Sequence, residues 1–67
     1  MERFIYGVTK KETVLNELAR NGYKLHEYDD RLCYNCYTYV VNWTEKHLTL
    51  RTYFFNENNI LIGIETK

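Results

Sequence analysis

The chain has 67 residues, of which nine are acidic, nine are basic and none is proline. A chain of this length forms one domain with a small core, and its balanced charge provides no field that would attract nucleic acid or an anionic membrane. No apolar run approaches the roughly 18 residues that a membrane-spanning helix requires. The start, Met1-Glu2-Arg3-Phe4, lacks the features of a signal peptide, so we expect a cytosolic protein.

A single helix is predicted between Thr9 and Gly22. The order Thr9-Lys10-Lys11-Glu12 fits a capping box, in which the Thr9 hydroxyl and the Glu12 carboxylate each accept from the other's backbone N–H. The helix should run from Lys10 to about Arg20 and end at Asn21-Gly22, because glycine adopts the left-handed conformation easily. Its apolar stripe is narrow and can cover only one face of a sheet. The stripe consists of Val14, Leu15, Leu18 and Ala19.

The remaining residues alternate and are rich in strand formers, with polar turns between the runs. They predict an α+β fold in which one helix packs on one face of an antiparallel sheet, in the order β-α-β-β-β-β. The predicted strands are Glu2 to Tyr6, Tyr23 to Tyr28, Leu32 or Cys33 to about Asn42, His47 to Phe55, and Ile60 to Glu65.

The last two strands predict a hairpin with a defined register. If aliphatic side chains face one another, Asn56 pairs with Ile60, Phe54 with Ile62 and Thr52 with Ile64. The loop is then Glu57-Asn58-Asn59, and Asn59 should adopt the left-handed conformation. In this register the aliphatic face lies under the helix. His47, Thr49, Arg51, Tyr53 and Phe55 point away from it.

The third strand has two possible orientations. One set of side chains comprises Tyr37, Tyr39, Val41 and Trp43, and the other comprises Tyr34, Cys36, Thr38 and Val40. A four-residue loop from Thr44 to His47 turns the first set inward, with Trp43 in the core. A five-residue loop beginning at Trp43 turns that set outward and produces a large aromatic face. Burial statistics of large aromatic residues favour the first orientation slightly.

The helix and the start of the second strand resemble a family of small uncharacterised bacterial and phage domains. The resemblance lies in Leu15-Asn16-Glu17-Leu18, followed by Gly22-Tyr23-Lys24-Leu25 and later by Tyr37-Thr38-Tyr39-Val40-Val41. The family pattern is a strand, then L-N-E-L-x-x-x-G-W-E-L, then one or two strands. Tyr23 replaces its tryptophan and Lys24 its glutamate. The resemblance covers about half of the chain and implies a fold but no activity.

Cys33 and Cys36 have the C-x-x-C spacing of zinc and redox sites, with His26 and His47 as further candidate ligands. Residues three apart on an extended strand point to opposite faces, which opposes both a shared metal and a mutual disulfide. We therefore interpret the two cysteines as reduced, packed side chains, and the two histidines as solvated. We expect no catalytic residue, cofactor or metal, and a small zinc protein using Cys33 and Cys36 is an alternative.

The face away from the helix is the predicted site of function. Seven tyrosines, three phenylalanines and one tryptophan are too many for a small core to hide. Exposed aromatic and arginine side chains are typical of protein interfaces. The sequence thus predicts a non-enzymatic protein-binding module, an inhibitor or regulator that docks this face or an edge strand on a larger protein. The predicted partner-binding residues are Arg51, Tyr53, Phe55, Tyr37 and Tyr39.

Other partners fit the same predicted face. The composition and size resemble those of small inhibitors made by phages and mobile elements, including anti-defence proteins. A second copy of the chain could cover the face as a homodimer. Stacking of tyrosine and phenylalanine beside Arg51 would suit single-stranded nucleic acid, although backbone binding requires a more basic surface.

Overall fold

The computed structural model describes residues 4–67. One helix, α1 (Lys11–Arg20), precedes four strands, β1 (Lys24–Asp30), β2 (Tyr34–Trp43), β3 (Leu48–Asn56) and β4 (Leu61–Thr66). The strands form one antiparallel sheet in the order β1-β2-β3-β4. The predicted α+β class and meander are confirmed, but the order of elements is α-β-β-β-β.

The predicted first strand, Glu2 to Tyr6, is wrong for Phe4 to Tyr6, and its first two residues lie outside the described residues. The chain turns here instead, because the Ile5 carbonyl accepts from the N–H groups of Val8 (3.1 Å) and Thr9 (3.0 Å). Gly7, at a φ of 80°, allows this turn.

The predicted capping box is also wrong. The Thr9 hydroxyl accepts a hydrogen bond from the Ile5 N–H at 2.8 Å and so belongs to the turn before the helix. The helix begins at Lys11, and the residue before it, Lys10, provides no side-chain cap. The tight turn thus uses the hydroxyl that the sequence assigned to the helix.

The end of the helix confirms the prediction. Gly22 has a φ of 80°. Its N–H donates to the Ala19 carbonyl (3.0 Å), and the Tyr23 N–H donates to the Leu18 carbonyl (3.1 Å). This pair of bonds is a Schellman motif, which reverses the chain directly into β1.

The core lies between α1 and the central strands. Six apolar side chains are buried there: Val14, Leu18, Tyr39, Tyr53, Phe55 and Leu61. The aromatic rings meet edge to face, with centroids 6.3 Å apart for Tyr39 and Tyr53, and 5.8 Å apart for Tyr37 and Phe55. This geometry matches the ring quadrupoles and fills the thin layer under a helix that offers only small side chains.

The β3–β4 hairpin is partly as predicted. The Asn56 N–H donates to the Ile60 carbonyl (3.0 Å), and Asn59 has a φ of 61°. Beyond this point, however, Ile62 is an extra residue in a β-bulge, so Phe54 pairs with Gly63 and Tyr53 with Ile64. A shift of one residue exchanges the two faces of a strand. The predicted pairs of Phe54 with Ile62 and Thr52 with Ile64 are therefore wrong.

A second bulge, at Val41, resolves the two orientations of β2. Tyr37 and Tyr39 lie opposite Tyr53 and Arg51, on the side of the helix, as the first orientation predicts. After the bulge, Trp43 lies opposite Leu48 on the other face and is 77% exposed. The expected loop from Thr44 to His47 is present. The placement of Trp43 in the core is nevertheless wrong.

Candidate functional site

The five predicted partner-binding residues lie on the face that the helix covers. Tyr53 and Phe55 are buried (2% and 0% exposed), as is Tyr39. Tyr37 and Arg51 pair with Tyr53 and Tyr39 and are half-buried. The expectation that Arg51, Tyr53 and Phe55 point away from the helix is wrong. The helix covers the rings of Tyr53 and Phe55 instead, and each removes a large apolar surface from water.

The opposite face of the sheet, here called the uncovered face, carries the alternate residues of each strand. Within residues 4–67, α1 and the ring of Phe4, which packs against Tyr53, both lie on the other side. The uncovered face consists of Lys24, Glu27 and Asp29 from β1; Tyr34, Cys36, Thr38, Val40 and Trp43 from β2; Leu48, Leu50, Thr52, Phe54 and Asn56 from β3; and Gly63 and Glu65 from β4.

The apolar part of the uncovered face is strongly exposed at one end. Trp43 is 77% exposed and Leu48, directly opposite it, is 51% exposed. Val40 and Leu50, the next pair along the two strands, are half-buried. Together these four side chains form an apolar patch on the two central strands. Contiguous apolar patches of this kind commonly mark contact sites.

The middle of the uncovered face is ordered by cross-strand contacts. The hydroxyl oxygens of Thr38 and Thr52 are 2.8 Å apart and share a hydrogen bond. The ring of Phe54 lies over Gly63, and a Cβ added to that glycine would be 3.8 Å from the ring. The rings of Tyr34 and Phe54 are 6.1 Å apart. These contacts hold the aromatic side chains in place before any partner arrives, which lowers the entropy cost of binding.

The outer strands make these middle rows acidic, since Glu27 and Glu65 lie in the row of Thr38 and Thr52, and Asp29 lies beside Cys36. A shallow depression of about 220 Å³ lies here, with Tyr34, Phe54, Cys36 and the two threonines among its lining residues. Three carboxylates, from Glu27, Asp29 and Glu65, and one ammonium group, from Lys67, also line it. The Nε–H of Arg31 donates a hydrogen bond to the Asp29 carboxylate at 2.8 Å, and the guanidinium partly balances the negative charge of the depression. The arrangement favours a partner with apolar and basic groups and opposes a phosphate backbone.

The two cysteines occupy different environments. Cys33 is exposed in the loop before β2, and Cys36 is half-buried on the uncovered face. Burial, and then the nearby Asp29 carboxylate, raise the pKa of the Cys36 thiol, although Arg31 opposes this effect. His26 and His47 are both exposed. In the part of the chain that the structure describes, no group of three or more His, Cys, Asp or Glu side chains is placed to hold a metal ion.

An aromatic pair also lies on the helix side of the sheet, near its β1 edge. The rings of Tyr28 and Tyr37 are 4.7 Å apart, and the Lys11 ammonium lies 5.5 Å from the centre of the Tyr37 ring. Desolvation, and then the Asp30 carboxylate, raise the pKa of Tyr28. Through the Lys11 side chain, the first turn of α1 thus covers part of an aromatic surface that lies beyond its apolar stripe.

Sequence reasoning missed Leu48, Leu50 and Phe54 as residues of the uncovered face, and it placed Trp43 outward only in the less favoured orientation of the third strand. One signal was available, since Gly63 interrupts the run Leu61-Ile62-Gly63-Ile64, and an isolated glycine in a strand often accompanies a bulge. A bulge at this point exchanges the faces of β4 relative to β3 and removes the reason for placing the aliphatic side chains under the helix.

No protein-family model, no curated protein sequence and no solved structure matches this chain. Among the described residues, the one helix spans only Lys11–Arg20 and is too short and too polar to cross a membrane. The candidate site is therefore identified from the geometry of the uncovered face and not from a similar protein.

Proposed function

We propose that this chain is a non-enzymatic protein-binding module, an inhibitor or regulator that docks its uncovered face on a larger protein. The observation that carries the proposal is the exposure of Trp43 and Leu48 at one end of a face that no other part of residues 4–67 covers. Large exposed rings and aliphatic side chains are the usual anchors of protein interfaces.

The size of the face is sufficient for a stable complex. The Cα atoms extend over 37 × 28 × 15 Å, so the protein is a thin slab with one broad open side. That side has an area on the order of 1,000 Å², and a standard interface buries about 800 Å² of each partner. A single copy of the chain can therefore occupy a functional surface on a larger protein and block it.

The charge distribution indicates what kind of protein surface fits. The apolar patch around Trp43 lies beside the acidic depression formed by Glu27, Asp29 and Glu65. A partner surface with an apolar pocket next to lysine or arginine side chains would be complementary to both. The same carboxylates oppose binding of single-stranded nucleic acid, and Arg51, the predicted stacking partner, lies on the helix-covered face.

The test uses two leucines with nearly equal exposure on opposite faces. Leu48 (51% exposed) lies on the uncovered face, whereas Leu25 (52% exposed) pairs with the buried Tyr39 on the helix side. Tagged wild type, Leu48→Glu and Leu25→Glu are used to capture proteins from a lysate of the native host. We expect wild type and Leu25→Glu to retain the same protein and Leu48→Glu to lose it.

Binding of the captured protein is then measured with purified components. A charge at Leu48, within the apolar patch, should weaken the affinity by roughly a hundredfold or more, whereas the matched change on the helix side should have little effect. The proposal is refuted if both variants bind like wild type or if Leu25→Glu is the variant that loses binding. Titration with short single-stranded RNA and DNA at low salt should show no binding.

A further inference from the structure

The two edges of the sheet are protected to different degrees. Five of the seven residues of the β1 edge are Lys, His, Asp or Glu. Charged side chains on an edge strand oppose the addition of another strand. The β4 edge, Leu61–Thr66, has one charged residue, Glu65. Of the two edges, β4 is therefore the one whose side chains do not oppose strand pairing.

The hydrogen bonds of β4 show which of its backbone groups point outward. The Lys67 N–H donates to the Leu50 carbonyl at 2.9 Å, so residue 67 faces β3. Backbone groups alternate along an antiparallel strand, so those of Glu65 and Gly63 also face β3 and those of Ile64 and Thr66 face outward. Within residues 4–67, the outer side of β4 is bonded only at Leu61, to Gly7 (2.7 Å) and Thr9 (2.8 Å).

Exposed apolar side chains gather beside the same edge. The turn before the helix is fastened to Leu61, and three of its side chains, Ile5, Tyr6 and Val8, are 52%, 57% and 64% exposed. Ile62, on β4 itself, is 45% exposed. Unpaired backbone groups next to an apolar cluster are the two components of a strand-addition interface.

We propose that the β4 edge pairs with the β4 edge of a second copy of this chain, antiparallel and about a twofold axis at Ile64. This register places Ile64 opposite Ile64, Gly63 opposite Glu65, and Ile62 opposite Thr66. The sequence of β4 is self-complementary in this arrangement, because each Glu65 carboxylate lies opposite a glycine and no like charges face each other directly. Twofold pairing of identical surfaces is also the commonest form of self-association.

The dimer would contain a continuous eight-stranded sheet. A twofold axis perpendicular to the sheet leaves both uncovered faces on the same side, so the dimer presents two copies of the apolar patch to a partner. The inferred dimer depends on the β4 edge and not on the proposed function of the uncovered face. Either proposal can therefore fail without the other.

The test is the mass of the protein in solution, measured by sedimentation equilibrium from micromolar to millimolar concentration. Wild type should approach twice the chain mass of 8.2 kDa. Ile62→Lys places a charge on the exposed edge and should weaken the dimer at least about tenfold. Thr66→Pro removes an outward N–H and the weak side-chain bond from Arg51 (3.4 Å) while leaving the backbone bonds to β3, and it should have the same effect.

A matched control lies on the other edge. His26 is the extra residue of a bulge in β1, as Ile62 is in β4, and it is exposed. His26→Lys should leave the dimer unchanged, and circular dichroism should show that all variants are folded. The inference is overturned if wild type is a monomer at millimolar concentration. It is also overturned if Ile62→Lys and Thr66→Pro leave the dimer intact, or if only Leu48→Glu dissociates it.

Discussion

Replacing Phe55 tests the assignment of the two faces of β3. Phe55 is 0% exposed under α1, and its neighbour Phe54 is half-buried on the uncovered face. Truncation of a fully buried phenylalanine to alanine costs about 3–5 kcal/mol, because transfer energy is lost and a cavity is left. A domain of 67 residues has a total stability of roughly 3–10 kcal/mol, so Phe55→Ala should unfold much or all of the protein.

The milder change to leucine makes the comparison quantitative. Phe55→Leu should lower the free energy of unfolding by about 1 kcal/mol or more, since the ring loses its edge-to-face contact with Tyr37. Phe54→Leu should lower the free energy of unfolding by clearly less, because the Phe54 ring rests on Gly63 and is only half-buried.

Urea unfolding followed by far-ultraviolet circular dichroism is the suitable assay. Trp43 is 77% exposed and its fluorescence should change little on unfolding. Equal losses for the two leucine variants, or a larger loss for Phe54→Leu, would show that the faces of β3 are assigned incorrectly. The helix-covered and uncovered faces would then have to be exchanged.

Three further predictions concern local features. Gly22→Ala should destabilise the protein by about 1 kcal/mol in urea unfolding, because Gly22 has a φ of 80° and no side chain obstructs the added methyl. Thr52→Val should lower the free energy of unfolding by about 1 kcal/mol, because it removes the hydrogen bond to Thr38 and leaves that hydroxyl unpaired. The double variant with Thr38→Val should recover part of this loss in the same urea assay, since it removes the unpaired hydroxyl as well. Cys33 should react with iodoacetamide faster than Cys36 at pH 8, because the raised pKa of Cys36 keeps its thiol protonated. Alkylation followed by mass spectrometry across pH should also show that Asp29→Asn moves the reaction of Cys36 to lower pH, since the Asp29 carboxylate raises the pKa of this thiol.

Several local features were predictable because short-range backbone chemistry decides them. The helix ends at Arg20 and reverses at Gly22, since glycine tolerates a φ of 80°. The hairpin closes at Asn59, which adopts a φ of 61° in a three-residue loop. The positions of the four strands follow from runs of strand-forming residues between polar turns.

The start of the helix shows where local reasoning failed. Thr9 and Glu12 have the spacing of a capping box, yet the Thr9 hydroxyl bonds the Ile5 N–H. The turn that brings Ile5 to Thr9 is fastened to β4 through Leu61, about fifty residues further along the chain. A contact this distant in sequence gives no signal in a four-residue motif.

The sequence by itself determined the α+β class, the single helix, the positions of the four strands that follow it and the turns at Gly22 and Asn59, because each depends on neighbouring residues. Only the tertiary structure decided which face each strand presents to solvent. β3 carries large apolar side chains on both sides, and single-residue bulges at Val41 and Ile62 select the side that packs under the helix. On that side the rings of Tyr53 and Phe55 pack in one buried cluster with Val14 and Leu18, and this fit is a property of the assembled layers rather than of any short segment.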